Sequence, residues 1–541
     1  MHLNDAICHH DGIEVVAMHH EQAATFAAEA DARVTNRIGV VHVTAGPGGT
    51  NTLTGIACAY VDSIPLLVIA GQVTKRTMIG HSGVRQLGMN EVDTAALAQP
   101  ITKYAITVTE PFMIAHHLSR AVRAAMTDRR GPVFVEIPLD VQAAEINPAN
   151  LISDRWHEWP QDNATLKKQT DAAMAMLEKA ERPLIIFGNG VRLAGACDEF
   201  RSVVKRLGIP VVSSWTASDI IDNAHPCYVG RCGIFGDRAS NRAVQSADVI
   251  LIIGSRLSVA QTGHDPAAFA PQARKIMVDV DAAEIYKPTL AVNNGIAVPI
   301  VSDAKKFLVE LLSRELPVLP CWTHKEPRCE PAASGKGIGA YDFIGALAKR
   351  LPGDVVIVTD VGFSFIPAMQ TLMLNGKQRL FHSCGVSPMG WAIPAAVGAA
   401  LAHRGLVICL TGDGGAMMNI QELATIARLR LPIAIFIFAN DGYATMRLTQ
   451  KNHFRRESIA GSQSGLAMPD FVALAEGFGI PSFRLDVLSQ FAADLPLWKG
   501  PVLCEITMNQ AELIAPRIES KTINGRLVPG RLDGRLEELV A

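Results

Sequence analysis

The chain has 541 residues, room for three or four domains at about 150 residues each. Lys and Arg total 50 against 52 Asp and Glu, a net charge of −2, so no global field gathers nucleic acid or an anionic membrane. Hydrophobic residues make up 49% and charged ones 19%, which supplies several buried cores and excludes a disordered chain. The longest apolar runs, Leu431–Ala439 and the Gly/Pro-broken Met389–Ala402, fall short of the roughly 20 residues of a membrane helix. Ten cysteines without any C-x-x-C pair argue against a zinc knuckle or a disulfide framework, and for the cytoplasm.

The first residues, Met1-His-Leu-Asn-Asp, carry neither a basic leader nor an apolar core, so they are no secretory signal. The chain opens mid-pattern, with a short helical segment, a turn at Asp11-Gly12 and an expected strand Ile13–Met18. Apolar strand runs then alternate with amphipathic helices: Gly39–Thr44, Ile64–Ala70, Val133–Ile137, Leu184–Phe187, Val249–Ile253, Ile276–Val280, Val355–Val358, Leu406–Leu410, Ile433–Phe438 and Val502–Ile506. Several are apolar on both faces, as strands of a helix-covered parallel sheet should be. The pattern predicts α/β architecture with three doubly wound domains. Linkers are expected at Asn147–Leu166 and Leu316–Gly339, the second with Pro317, Pro320, Pro327 and Pro331. They divide the chain into domains 1–148, 165–320 and 336–515, with a tail 516–541.

The first and last domains echo each other. Gly39-Val-Val-His-Val-Thr-Ala-Gly-Pro-Gly-Gly resembles Gly405-Leu-Val-Ile-Cys-Leu-Thr-Gly-Asp-Gly-Gly, and each is followed by a helix and a proline-led strand, at Pro65 and Pro432. Gly412 stands 366 residues after Gly46, and Pro432 367 after Pro65, so one fold is predicted twice. Where one copy has Pro47, the other has Asp413. One turn carries a possible metal ligand and the other cannot.

Asp413 lies in Gly412-Asp413-Gly414-Gly415, between a strand end and a helix start. Glycines there let backbone N–H groups approach a phosphate, and the helix start favours negative charge. Asn440 ends the next strand, placing an amide oxygen beside the carboxylate at the usual ligand crevice of a parallel sheet. Carboxylate, amide oxygen, a loop carbonyl, water and two diphosphate oxygens would complete an octahedral Mg²⁺ site.

With the strand, the helix and the spaced asparagine, this motif resembles that of the thiamine diphosphate enzymes, most closely those like the acetolactate synthase large subunit. The family's asparagine pair reads Ala439-Asn440 here, so only the metal-ligating asparagine is kept. The resemblance spans essentially the whole chain. It implies two thiamine-diphosphate-binding folds flanking a Rossmann-like central domain, with Gly442 as a third, main-chain metal ligand. His20-Glu21-Gln22 resembles the family's catalytic-glutamate motif. A carboxylate facing the cofactor's aminopyrimidine ring favours the imino tautomer that deprotonates the thiazolium carbon, and an apolar pocket suits that role. Ser387-Pro388-Met389-Gly390-Trp391 resembles the loop whose bulky residue, here Met389, wedges the cofactor into a bent shape. Asp360-Val361-Gly362-Phe363-Ser364 resembles the loop completing the diphosphate cradle. Gly188 and Gly190, then Gly254, Ser255, Arg256 and Asp279, stand where similar synthases hold FAD in a non-redox role and other members leave the pocket empty.

The resemblance implies decarboxylation of pyruvate and transfer of the acyl unit to a second carbonyl. Simple decarboxylases carry a His-His pair where this chain has only His81, which favours carboligation. Gln86 and Asn90 are expected on the acceptor side. Arg85–Asn90 and the segment Gln450–Phe471 depart from acetolactate synthases, and approach a sister group associated with surface-polysaccharide synthesis, some of whose members acylate a nucleotide-linked keto sugar. A flavin-dependent pyruvate oxidase and an inactive homologue stay open. The basic tail (Arg517, Lys521, Arg526, Arg531, Arg535) reads by default as solvated, with closure over the site as the alternative. Glutamate and metal halves on separate domains imply a homodimer or homotetramer with sites at the interface. Similar proteins begin with a further helix and strand, so roughly 25 residues of the first domain are expected to be missing.

Overall fold

The computed structural model describes residues 1–154, 163–293, 295–323, 335–491, 500–518, 521–523, 526–528 and 530. Three all-parallel sheets, each flanked by helices, give the expected α/β fold. The first runs Gly39–Val43, Leu66–Gln72, Pro132–Pro138, Tyr104–Thr107. The middle one runs Val298–Val301, Arg274–Asp279, Val249–Ile253, Pro183–Phe187, Val211–Ser213, Tyr228–Arg231. The third runs Arg379–Phe381, Val356–Thr359, Val407–Gly412, Ile433–Ala439, Val502–Thr507, Ser482–Leu485. Pro132–Pro138, Pro183–Phe187 and Val249–Ile253 are buried along their whole length, because helices cover both faces. Each fully buried Ile, Val or Phe contributes about 1.5–3 kcal/mol of transfer free energy.

All ten apolar runs named above form strands. Short strands such as Tyr104–Thr107 and Val298–Val301 lie at sheet edges, are partly exposed and so lack a continuous apolar signal. Ile13–Met18 is not a strand: it is an extended segment outside any ladder, with Ile13 48% and Val15 47% exposed. In the third domain the strand before the corresponding helix, Arg379–Phe381, pairs with Val356–Thr359. Ile13–Met18 pairs with neither edge strand of the first sheet, Gly39–Val43 or Tyr104–Thr107. The first linker ends earlier than expected, since the helix Asn163–Leu177 begins inside it, and its residues 155–162 lie outside the described ones. Residues 324–334 of the second linker also lie outside them, whereas Trp322 Nε1 donates to the Pro183 carbonyl at 2.7 Å, fastening that linker's start to the middle domain. The tail begins packed, with Ile518 N donating to Ile234 O at 2.8 Å, then forms a hairpin from Lys521–Ile523 and Arg526–Val528; Arg531 and Arg535 lie outside the described residues.

The first and third domains meet through the helices Glu21–Thr35 and Ala392–His403. Small residues permit close approach: a Cβ on Gly398 would stand 1.9 Å from the Ala27 carbonyl oxygen. Ala27 faces Gly398, and Glu29 meets Trp391 at the other helix's start, so the pair runs antiparallel. Strand Val407–Gly412 runs back along Ala392–His403 to the sheet end where that helix begins. Glu21 and the Gly-Asp-Gly turn of one chain therefore lie toward opposite ends of the helix pair.

Candidate active site

The Asp413 side chain is buried within a hydrogen-bonded turn. Its Oδ1 accepts from Gly414 N at 2.7 Å, and its Oδ2 from Asn440 N at 3.0 Å and Gly442 N at 2.9 Å. Desolvation pushes the carboxyl up to about 6, against the pull of these N–H donors and of Arg447. Asn440 is 7% exposed, yet its Oδ1 has no hydrogen-bond partner. A buried amide oxygen left unpaired costs about 1–3 kcal/mol unless a ligand satisfies it. The Gly442 carbonyl accepts from Ala444 N at 3.1 Å and keeps a second lone pair. Gly442 has φ +107°, and a Cβ there would stand 2.6 Å from Ala460 O. A Cβ on Gly412 would meet nothing within 4 Å, so the turn's backbone faces open space.

Met389 reaches this turn: its Cε is 3.4 Å from where a Gly414 Cβ would be. Ser387, at φ +53°, donates through Oγ to Cys384 O at 2.9 Å. Gly362, at φ +69°, faces Thr445, with Phe363 and Ser364 buried behind it. The structure thus brings Gly362, Phe363, Ser364, Met389, Gly412, Asp413, Gly414, Gly415, Asn440 and Gly442 to one end of the third sheet, with Ser387 on the adjoining loop.

Asp360 was not singled out by its motif, yet it joins these loops. Its Oδ2 accepts from Gly390 N at 3.1 Å and Thr411 Oγ1 at 3.0 Å, its Oδ1 is unpaired, and burial pushes it up to about 6. Arg447 donates to Asn440 O and, at 2.6 Å, to Asp441 O, fixing the loop beyond the asparagine. A buried arginine five residues past a turn leaves no sequence signal of that role.

Glu21 opens the helix Glu21–Thr35 after the N-cap His20, whose Nδ1 accepts from Gln22 N at 3.1 Å. Its Oε2 accepts from Asn51 Nδ2 at 3.0 Å, and the side chain is half-buried rather than enclosed in an apolar pocket within one chain. Gln86 and Asn90 stand on this first domain with Glu21, not at the Gly-Asp-Gly turn. Gln86 is exposed and donates to Glu91 O at 3.1 Å, and Asn90 has φ +64°. Glu91, also missed, organises their loop by accepting from the N–H groups of Ile79, Leu87 and Gly88; these outweigh desolvation and hold it below the usual carboxylate range.

All six expected dinucleotide residues, Gly188, Gly190, Gly254, Ser255, Arg256 and Asp279, line one cavity of about 690 Å³ between the first and middle domains. Arg129 crosses the seam to Asp281 and Glu284, both at 2.8 Å. The glycines have a packing reason of their own: a Cβ on Gly188 would stand 2.3 Å from Gly254 O, and one on Gly190 2.7 Å from Gly254 Cα. Burial pushes Asp279 up to about 6.

Three family models match: the N-terminal thiamine pyrophosphate-binding domain over residues 1–97, the central domain over 170–311 and the C-terminal binding domain over 360–506. The acetolactate synthase large subunit of Lactococcus lactis is 34% identical, covering 95% of this chain and 89% of its own length. The chain belongs to the thiamine diphosphate enzymes of the acetolactate synthase large-subunit type. A probable large subunit of Methanocaldococcus jannaschii is 32% identical over 94% of this chain and 88% of its own length, and isozyme 2 of Escherichia coli 30% over 96% and 92%. As a family member it is a thiamine diphosphate-dependent carboligase, and its third domain fits that cofactor: an open glycine turn, an unpaired buried Asn440 oxygen and a buried carboxylate meet where a metal diphosphate would sit. Among the described residues no three His, Cys, Asp or Glu side chains cluster to hold a metal, so a cation at Asp413 needs amide, main-chain and ligand oxygens. No described helix is long and apolar enough to cross a membrane, and the nine described cysteines are unpaired.

Proposed function

We propose that this protein decarboxylates pyruvate and joins the remaining two-carbon unit to a second carbonyl compound, with Mg²⁺ at Asp413, Asn440 and the Gly442 carbonyl. One observation carries this reading. The chain matches acetolactate synthase large subunits over 95% of its length and, at the matched Gly-Asp-Gly turn, presents an unpaired buried oxygen. Bound thiamine diphosphate supplies the carbanion-stabilising ring such chemistry needs. Asp413 is oriented by three N–H groups, so its free lone pairs face the metal position without reorganisation. Met389 reaches the turn from the side and would support the bound cofactor there. Asn51 occupies Glu21 Oε2, which leaves Oε1 as the atom that holds and releases a proton.

Because Glu21 and Asp413 of one chain lie toward opposite ends of the helix pair, each site is completed by a second copy. The helix from Glu21 to Glu29, at 1.5 Å per residue, sets Glu21 about 12 Å beyond the Trp391 contact. Gln86 and Asn90, beside Glu21, then face the acceptor. The cavity between the first and middle domains takes a dinucleotide, FAD in a structural role, and its volume suits a ligand of that size. The unpaired cysteines fit action in the cytoplasm.

The test is incubation with labelled pyruvate, Mg²⁺ and thiamine diphosphate, alone and with other keto acids or keto sugars, followed by mass spectrometry. Carbon dioxide plus a new carbon–carbon bond supports the proposal. Release of free aldehyde, or flavin-dependent oxygen uptake, contradicts it.

A further inference from the structure

Between the first and third domains lies a buried polar cluster to which the chemistry above assigns no role, although Arg33, Asp62 and Cys384 also line the edge of the dinucleotide cavity. Arg33, 6% exposed, donates to Glu29 Oε1 at 2.6 Å and to Asp62 Oδ2 at 2.8 Å. The other oxygen of Glu29, itself fully buried, accepts from Trp391 Nε1 at 2.6 Å, and the Arg33 guanidinium lies 5.6 Å from that indole's centroid. Asp62 accepts from Cys384 N at 2.9 Å and from Gly385 N at 3.0 Å. A Cβ on Gly385 would stand 2.3 Å from Val61 Cγ1, so the loop is pressed against the first domain at this end.

These contacts hold both ends of the loop 384–391, which carries Ser387 and Met389. Its third-domain side is held by Asp360 on Gly390 N, and by Asn419 Nδ2 donating to Gly390 O at 2.8 Å. Between the anchors lie Val386 to Met389, where Ser387 Oγ donates back to Cys384 O at 2.9 Å. Stability alone is a poor reason for such a cluster, since a buried ion pair costs several kcal/mol of desolvation per ion and apolar packing often does as well. Direction is what charged, hydrogen-bonded groups supply and apolar packing does not.

We propose that Glu29 and Arg33 are positioning residues that act through Trp391 and Asp62 to hold the loop 384–391 so that Met389 stands over Gly414. This rests on the reading that Met389 supports the cofactor. The helix that begins with Glu21 thus carries a proton-transfer group at one end and, about two to three turns further on, grips the cofactor loop of its own chain's third domain.

The test uses the full chain with Mg²⁺ and measures two quantities, thiamine diphosphate affinity by calorimetry and the rate at which the bound cofactor's thiazolium C2 proton exchanges in D2O, by quenched NMR. Trp391→Phe removes the indole donor together with part of the buried ring, and Glu29→Ala removes the acceptor. Each is expected to slow exchange about 10- to 100-fold, the effect of misplacing a supporting group by about an ångström. Because both act through one hydrogen bond, the double variant is expected to be no slower than the worse single one. Glu29→Gln, which keeps an acceptor for the indole, should recover most of the rate. If Glu29→Ala does not fold, Trp391→Phe alone carries the comparison. Variants that exchange at the wild-type rate and merely melt earlier would overturn the proposal, as would additive losses in the double variant. A wild-type protein that exchanges normally makes such an outcome specific to this inference. A wild-type protein that binds no thiamine diphosphate would instead bring down the functional reading, and this inference with it.

Discussion

The two glycine turns show how one backbone unit can be closed in one domain and open in another. Both follow a parallel strand, Gly39–Val43 or Val407–Gly412, and the neighbouring strands keep the same order, with Leu66–Gln72, Pro132–Pro138 and Tyr104–Thr107 matching Ile433–Ala439, Val502–Thr507 and Ser482–Leu485. In the first domain Gly46 takes φ +63°, and a Cβ there would stand 2.1 Å from the Asn90 carbonyl oxygen. That turn is filled by the chain's own loop. In the third domain Gly412 has an ordinary φ of −78° and faces open space, next to an amide oxygen with no partner. The same contrast, inverted, recurs on the strands behind. Glu136 and Glu505 occupy equivalent positions, but Glu505 meets Arg484 at 3.1 Å whereas Glu136 has Thr107 Oγ1 at 2.8 Å and an unpaired Oε1. The copy with the open turn pairs both carboxylate oxygens of its sheet glutamate.

The largest expected effect comes from removing the residue that distinguishes the turns. Loss of a residue merely supporting a metal ligand costs about 10–100-fold in affinity, so Asp413→Ala should weaken Mg²⁺-dependent thiamine diphosphate binding at least about 100-fold. Normal retention of the cofactor through gel filtration would break the comparison. Glu21→Gln should leave that binding nearly intact while cutting carbon dioxide release about 10²- to 10⁴-fold, the usual worth of a general acid–base group. Mixing Glu21→Gln with Asp413→Ala under subunit exchange should restore part of the turnover, because one hybrid site is then intact; no recovery would place both halves of the site in one chain.

A paired substitution sharpens the contrast between turns. Gly46→Ala forces a left-handed alanine into the Asn90 carbonyl and should destabilise the fold by at least about 1–2 kcal/mol by thermal denaturation. Gly412→Ala should leave the cofactor-free melting temperature unchanged while its methyl group intrudes on the ligand's space and weakens cofactor binding. A further effect is read by pH. Desolvation raises Glu136 from 4.5 to about 7, so its contribution to stability is complete below pH 4.5 and lost as pH rises through 7. By pH 8 the loss approaches an upper limit on the order of 3 kcal/mol. Glu136→Gln should therefore melt higher than wild type at pH 8 and alike at pH 4.5, and parallel curves would mean that the unpaired oxygen is otherwise satisfied.

Much of this was legible in the sequence because the information is local. Parallel strands buried on both faces announce themselves as apolar runs, and Gly-Asp-Gly with Asn440 names its own turn. What was not legible depends on contacts remote in the chain. Ile13–Met18 has the composition of a strand but joins neither edge of the first sheet. Asp360 and Glu91 are ordinary carboxylates until their loops fold around them, and Glu29 reads as one more polar residue on a helix until Trp391, 362 positions away, donates to it. Glycines at 188 and 190 resemble a phosphate-binding motif, yet their packing against Gly254 would call for glycine with or without a ligand.

The open turn of the third domain is expected to hold a metal diphosphate. Calorimetric titration of thiamine diphosphate into the full-length protein, with and without Mg²⁺, beside Asp413→Ala, tests it most directly. Tight binding that needs both the cation and Asp413 is the predicted result. Binding that persists without either would contradict the account.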